Sequence, residues 1–450
     1  MSMIDEMLKE TKDTRACRLG PGATEETPSL FKELFPEARS AVVVDDVNTK
    51  RVAGDRVIAL LKSAGIDAAE YTICPDGSLF HATYDKVEEV RDAIRASGKD
   101  VPVAVGSGTI NDLVKRGSEE LGVRYMVAGT AASMDGYTSF GAAITKDGMK
   151  QTLECKAPLG CLVDSEIAAK APQEMTASGY ADLIAKIPAG ADWMLADAIG
   201  AEKIHPLAWK CVQGPLRGSL SNPKGVASGD EREIRNLCEG LVMSGFAMQA
   251  MGSSRPASGT EHQISHYWDM EDLSFDGKPV SHGFKVGIGT LASTKALELL
   301  VEQDLSVLDV DACVAKWPES IDEVIATFPK IFGNRPDHIR RAEGEYRRKF
   351  PTREGLRAEL ETFKAKWPEL APAIRRQIMP FDEVRDALKL VGAPYEPEMI
   401  GITRERFRET MRGVPFMRAR YFGVDLIHRL GLMGALEERL FGKGGVWEVA

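Results

Sequence analysis

No stretch of this chain approaches the ~18–20 consecutive apolar residues of a membrane span, and no two cysteines stand in a CxxC pair. The seven cysteines (17, 74, 155, 161, 211, 238 and 313) are scattered and odd in number. That favours reduced thiols in a cytoplasmic protein over a disulfide framework or a thiolate metal site. A surplus of basic residues is also missing. Lys and Arg number 57 against 67 Asp and Glu, a net charge of -10, which argues against nucleic acid and anionic membrane surfaces as partners. The opening MSMIDEMLKETKD is acidic and mixed and has no apolar core of a secretory signal. Internal repeats and low-complexity tracts are absent. What remains is the composition of an ordinary soluble globular protein, 44% apolar and 28% charged. At 450 residues the chain exceeds the ~250–300 at which one core stops growing, so two domains are expected.

The first half alternates strand and helix. Residues 40–45 (SAVVVD), 70–73, 101–105 and 125–128 read as buried strands, and 51–64, 80–97 and a segment from about Ile110 as helices. That alternation predicts a parallel sheet wrapped by helices. From Gln173 the pattern becomes helical (174–187, 190–203, 231–251, 261–270, 284–303 and several more) and strand-like segments disappear. The expected organisation is an α/β dinucleotide-binding domain over 1–170, then an all-α metal- and substrate-binding domain over 171–450 with a long helical extension. The Arg- and Glu-rich helices of 335–450 read as solvated faces. An interface is the alternative there, because Phe441, Trp447 and the apolar 424–436 need cover.

Two regions carry chemistry. Gly106-Ser107-Gly108-Thr109 lies after a strand and before a helix, where backbone N–H groups and the helix dipole favour a pyrophosphate. The acidic pair Asp45-Asp46 ends the first strand, and the small-residue loop Gly129–Ser133 ends the fourth. This order is not the GxGxxG fingerprint, since the acid precedes the glycine turn. The second region is Ser253–Thr290, which holds His262, His266 and His282. His262 and His266 are four apart, roughly 5–6 Å on one helix face. His282 follows the Asp276-Gly277-Lys278-Pro279 turn. Three imidazoles among small residues point to a divalent metal, the spacing by itself favouring the 262/266 pair. Asp182, on the small and apolar helix SGYADLIAK, needs a cation, a metal or a lysine such as Lys186.

The segments VGSGTINDLVK (105–115), GTAASMDGYTS (129–139), KAPQEMTASGYADLIAK (170–186), SRPASGTEHQISH (254–266) and SHGFKVGIGT (281–290) together resemble the bacterial sn-glycerol-1-phosphate dehydrogenases. These belong to the dehydroquinate synthase-like and iron-containing alcohol dehydrogenase superfamily. The resemblance runs from about residue 40 to about 295. It implies that Asp182, His262 and His282 ligate one divalent metal, zinc or nickel before iron. It implies that Asp135 and His266 contact the substrate, with Asp182 reaching it as well. NAD, or NADP, would be held by Asp46, by Gly106, Ser107, Gly108, Thr109 and Ile110, by Thr130, Ala131, Ala132 and Ser133, and by Ser139. The implied activity is reduction of dihydroxyacetone phosphate to sn-glycerol 1-phosphate, in phospholipid metabolism, by a homo-oligomer, a dimer. The alternatives are a glycerol dehydrogenase on a free polyol and a dehydroquinate synthase-type lyase. The lyase lacks support, because Gly136-Tyr137-Thr138 stands where a GGK-type sequence is needed. Two departures from the family are Ser107, where many relatives have glycine, and Phe284, where a smaller or acidic residue is common. For the substrate phosphate the candidate cation is Arg255.

Overall fold

Short apolar runs form the strands of one six-stranded parallel sheet in a computed structural model that describes residues 3–146 and 149–449. In chain order the strands of the first half are β1 (Ala16–Gly20), β2 (Ser40–Asp46), β3 (Asp67–Ile73), β4 (Val101–Gly106), β5 (Met126–Gly129), β6 (Ala142–Lys146), β7 (Met149–Leu153) and β8 (Gly160–Asp164). The sheet order is β1-β8-β5-β4-β2-β3, with β6 and β7 forming a separate antiparallel hairpin. Every residue of β4, β5 and β8 is buried, as a parallel sheet covered on both faces demands. The crossovers include helices α1 (Asp55–Ser63), α2 (Tyr84–Ser97) and α3 (Gly108–Leu121). In α2 the apolar Val87, Val90 and Ile94 fall at helical spacing and are buried.

Three elements of this half escape a reading of the sequence. β1 (ACRLG) and β8 (GCLVD) are only five residues long, and β1 carries a charged Arg18. They pair in register from Ala16↔Gly160 to Gly20↔Asp164, so each strand is stabilised by a partner more than a hundred residues away. The sequence between β6 and β7 carries the hairpin dipeptide Asp147-Gly148, which the strand–helix alternation passes over.

The later helices used below are α4 (Gln173–Ile184), α5 (Lys186–Ala198), α6 (Glu231–Met251), α7 (Thr260–Asp269), α8 (His282–Glu302) and α9 (Arg353–Gln377). The helical region expected from Gln173 onward is present. Among the described residues its strands are limited to a two-residue ladder, Ser274–Phe275 with Lys278–Pro279, closed by Asp276 and Gly277 at φ 50° and 74°. Two consecutive left-handed residues are the hairpin geometry that Asp-Gly favours. The chain forms two compact units: 1–183, 207–254 and 390–392, and 184–206, 255–389 and 393–450. In the second unit Trp447 and Phe441 are buried, their rings 4.9 Å and 5.6 Å from that of Phe407. The apolar C-terminal residues are thus covered by the unit's own core. Among the described residues no helix is long and apolar enough to cross a membrane.

Asp45, at the end of β2, is fully buried; Thr72 Oγ1 donates to its Oδ1 at 2.9 Å. Burial pushes its pKa up to about 7, against the opposing hydrogen bond from Thr72. A folded pKa above the unfolded value of about 3.9 means the folded state holds the proton more tightly. Stability from this group is therefore fully present below about pH 4 and is lost as pH rises towards 7. Asp45→Asn is expected to raise the stability of the ligand-free protein at pH 8 by on the order of 1–2 kcal/mol. It should flatten the decline between pH 4 and 7, as read by urea unfolding at several pH values. A decline unchanged from the parent protein would remove Asp45 as its source.

Candidate active site

In the first unit, β4 and β5 end side by side, Gly106 in register with Gly129. The Thr130 N–H donates to the Gly106 carbonyl at 3.2 Å, and the hydroxyls of Ser107 and Ser133 are hydrogen-bonded. The two small-residue loops of the sequence are thereby one continuous surface at the carboxyl edge of the sheet. Ser107 precedes α3 but its side chain does not cap the helix. The N-terminal N–H groups of α3 therefore keep the polarity that suits a phosphate. Around this turn Thr109 is exposed and Ile110 buried. Thr130, Ala131, Ala132, Ser133 and Ser139 are buried, and Ser139 Oγ donates to the Gly136 carbonyl at 3.1 Å. Asp46 is half-buried, and its Oδ1 accepts the N–H groups of Asn48 (2.9 Å) and Thr49 (2.8 Å). Its carboxylate thus caps the turn that follows β2.

The same unit holds Asp135 and Asp182 together. The Asp135 N–H donates to Asp182 Oδ2 at 3.1 Å, and Ser244 Oγ on α6 donates to Asp135 Oδ2 at 3.0 Å. Asp182 is fully buried on α4. Gly179, one turn earlier, lets α4 touch the loop, since a Cβ there would lie 1.9 Å from the Ala132 carbonyl oxygen. The roles of Gly179 and Ser244 carry no mark in the sequence beyond small size.

The second unit gathers the three histidines. His262 and His266 lie on α7, and His282 is the first residue of α8, where the Ser281 hydroxyl caps the helix through the Phe284 N–H. Ring centroids of His262 and His282 are 5.3 Å apart, while His266 lies 6.4 Å from each. The pair from separate helices is thus closer than the pair four apart on one helix. A hydrogen bond of 2.8 Å joins His262 Nδ1 to Glu261 Oε1. With the proton at Nδ1, the ring's lone pair is on Nε2, the tautomer a metal ligand needs. His266 Nδ1 lies 3.4 Å from Asp269 Oδ2, and Asp269 in turn pairs with the buried Lys285 of α8. Burial lowers the His266 pKa to about 4, against Asp269 and with the help of the Arg418 charge, so the ring is neutral at pH 7. Glu261 and Lys285 fall inside the quoted motifs and Asp269 between two of them, yet spacing alone assigns them nothing. Phe284 is half-buried beside His282. Arg255 is fully buried, donating to the carbonyls of Tyr421 (2.9 Å) and Asp192 (2.6 Å).

A family model for iron-containing alcohol dehydrogenases matches residues 18–172. The glycerol-1-phosphate dehydrogenase [NAD(P)+] of Halalkalibacterium halodurans is 36% identical over 249 residues, 55% of this chain and 62% of that protein. That match spans a little under two thirds of the relative's length. The enzyme of the same name from Geobacillus thermodenitrificans is 32% identical over 332 residues, 73% of this chain and 78% of that one. Among solved structures, glycerol dehydrogenase from Schizosaccharomyces pombe superposes with a TM-score of 0.59 at 15% identity, covering 95% of this chain and 91% of that chain. This last likeness concerns the fold. The six-stranded parallel sheet, the helical second half and the sequence relatives agree: the chain belongs to the glycerol-1-phosphate dehydrogenases of the iron-containing alcohol dehydrogenase superfamily.

Proposed function

We propose that the protein is an NAD(P)-dependent oxidoreductase that reduces dihydroxyacetone phosphate to sn-glycerol 1-phosphate. We assign Asp182, His262 and His282 as ligands of one divalent metal, zinc or nickel before iron. The observation that carries this reading is the approach of His282 to His262 at 5.3 Å between ring centroids, with Glu261 on Nδ1 of His262. One carboxylate and two imidazoles leave coordination positions open, as a catalytic site requires. A bound metal would supply Lewis-acid polarisation to a carbonyl oxygen, and a bound nicotinamide the hydride.

The chain's own residues do the remaining work. Glu261 holds the tautomer and orientation of His262. Asp135 is oriented by the Ser244 hydroxyl and is assigned, with Asp182 and His266, to the substrate hydroxyls. His266, neutral and anchored at Nδ1 by Asp269, offers Nε2 to hydrogen-bond a substrate hydroxyl or relay its proton. The 106–110 turn, Thr130–Ser133 and Ser139 are assigned to the dinucleotide, with the uncapped start of α3 on its phosphates. Asp46 is assigned to the adenosine ribose, where its charge would disfavour a 2′-phosphate.

The ligand assignment is tested by metal analysis of alanine variants purified without chelator. His262→Ala and His282→Ala should each lose bound metal together with activity. His266→Ala should keep about one equivalent while turnover falls by about 10²-fold or more. Loss of metal in His266→Ala with retention in His282→Ala would assign the ion to the helix-spaced pair instead.

Substrate class is read by comparing dihydroxyacetone phosphate with dihydroxyacetone at equal NADH. A clear preference for the phosphorylated triose is expected, and a preference for the free polyol would make the protein a glycerol dehydrogenase. Asp46→Asn keeps an N-cap acceptor while removing the charge. It is expected to shift the kcat/KM ratio towards NADPH by about fivefold, the worth of about 1 kcal/mol of exposed charge. No shift would remove Asp46 from the ribose.

A further inference from the structure

A phosphorylated substrate needs a cation, and Arg255 is committed to main-chain carbonyls inside the second unit. The same unit builds a second basic cluster from the far C-terminal part of the chain, where the sequence motifs are silent. The 3-10 turn Val414–Phe416 packs against α7, the helix of His262 and His266. Immediately after it come Arg418 and Arg420, both half-buried. Arg420 Nε lies 3.4 Å from Glu202 Oε2, the same oxygen that pairs with Arg255 Nε at 3.5 Å. Glu345 Oε2 accepts the Ala419 N–H at 2.7 Å, and Arg341 Nε donates to the Met417 carbonyl at 3.2 Å. The backbone of 417–420 is therefore pinned on both sides, and Glu202 holds the Arg420 guanidinium.

Several features separate this cluster from a set of surface ion pairs. Burial lowers the pKa of Arg418 to about 9 and of Arg420 to about 10, with Arg420 and Arg341 adding to the effect on Arg418. Both stay charged at pH 7, so positive potential is held in a poorly solvated place. The turn that leads into Arg418 packs on the helix that carries His266. A desolvated guanidinium is the group best suited to a phosphate, through paired N–H donors and weak hydration.

We infer that Arg418, supported by Arg420, binds the anionic phosphate end of the substrate whose other end meets His266. The inference rests on the reading of a phosphorylated substrate and names the residue that enforces it. It makes the C-terminal region part of the specificity of the enzyme rather than an appendage.

The test uses the full-length protein, with Arg418→Gln and Arg418→Lys compared with the parent chain. For dihydroxyacetone phosphate, Arg418→Gln should raise KM by about 10- to 100-fold, the worth of a charge-assisted phosphate contact, and leave kcat largely unchanged. Arg418→Lys should recover part of the loss. Activity on dihydroxyacetone and KM for NADH and NADPH should not move. Inorganic phosphate, titrated calorimetrically, should bind the parent protein and bind Arg418→Gln at least about tenfold more weakly. Thermal melts show whether the Gln variant is folded, and the Lys variant and the parent's phosphate titration decide the matter if it is not. Equal losses on both trioses, a change confined to NADPH, or undiminished phosphate binding in Arg418→Gln would overturn the assignment. If the parent enzyme prefers dihydroxyacetone, the substrate reading fails. The phosphate titration then still reports whether Arg418 forms an anion site.

Discussion

The histidine cluster depends on how closely α8 can lie against α7. A Cβ on Gly289 would stand 2.5 Å from the Glu261 carbonyl oxygen, so only glycine lets the two backbones meet there. That contact brings the start of α8, and with it His282, within 5.3 Å of the His262 ring. Helical periodicity would have joined His262 to His266 instead. Backbone approach between two helices outranks spacing along one of them.

Two of the three imidazoles in this cluster are held by an acid within their own helix. Glu261 takes Nδ1 of His262, and the Gly259 N–H donates to the same carboxylate at 2.6 Å. Asp269 takes Nδ1 of His266 and is itself neutralised by Lys285, which α8 supplies. Buried carboxylates are tolerated where donors surround them, and their placement fixes which ring nitrogen remains for chemistry. The arrangement gives two rings with the same exposed nitrogen and different duties, one assigned to a metal and one to a substrate. Asp192 belongs to the same buried acidic group, its pKa pushed up to about 7 by burial and by Glu261. It accepts the Thr260 N–H, which ties the start of α7 to α5.

The basic segment 418–420 extends this pattern to the C-terminal region. Its backbone is held by hydrogen bonds to Glu345 and Arg341, and the Arg420 guanidinium by the carboxylate of Glu202. Glu202, the pair Arg341 and Glu345, and the segment itself lie more than seventy residues apart along the chain, which is why no local motif announces them.

Much of the fold was legible from residue order. Runs such as SAVVVD and VPVAVG are too apolar and too short for anything but buried strands, and the periodic helices between them dictate a parallel sheet. The glycine turn at 106–108, the Asp-Gly turn at 276–277 and the three histidines announce themselves through residue type, because each chemistry admits few residues. The five-residue β1 and β8 did not, since a strand that short is stabilised by its neighbour in the sheet and not by its own pattern. Nor did the duties of Glu261, Asp269, Lys285 and Arg418, whose types are common on any helix surface. Sequence determined which residues could do chemistry; tertiary structure decided which of them meet, because burial and backbone approach are set by contacts far apart along the chain.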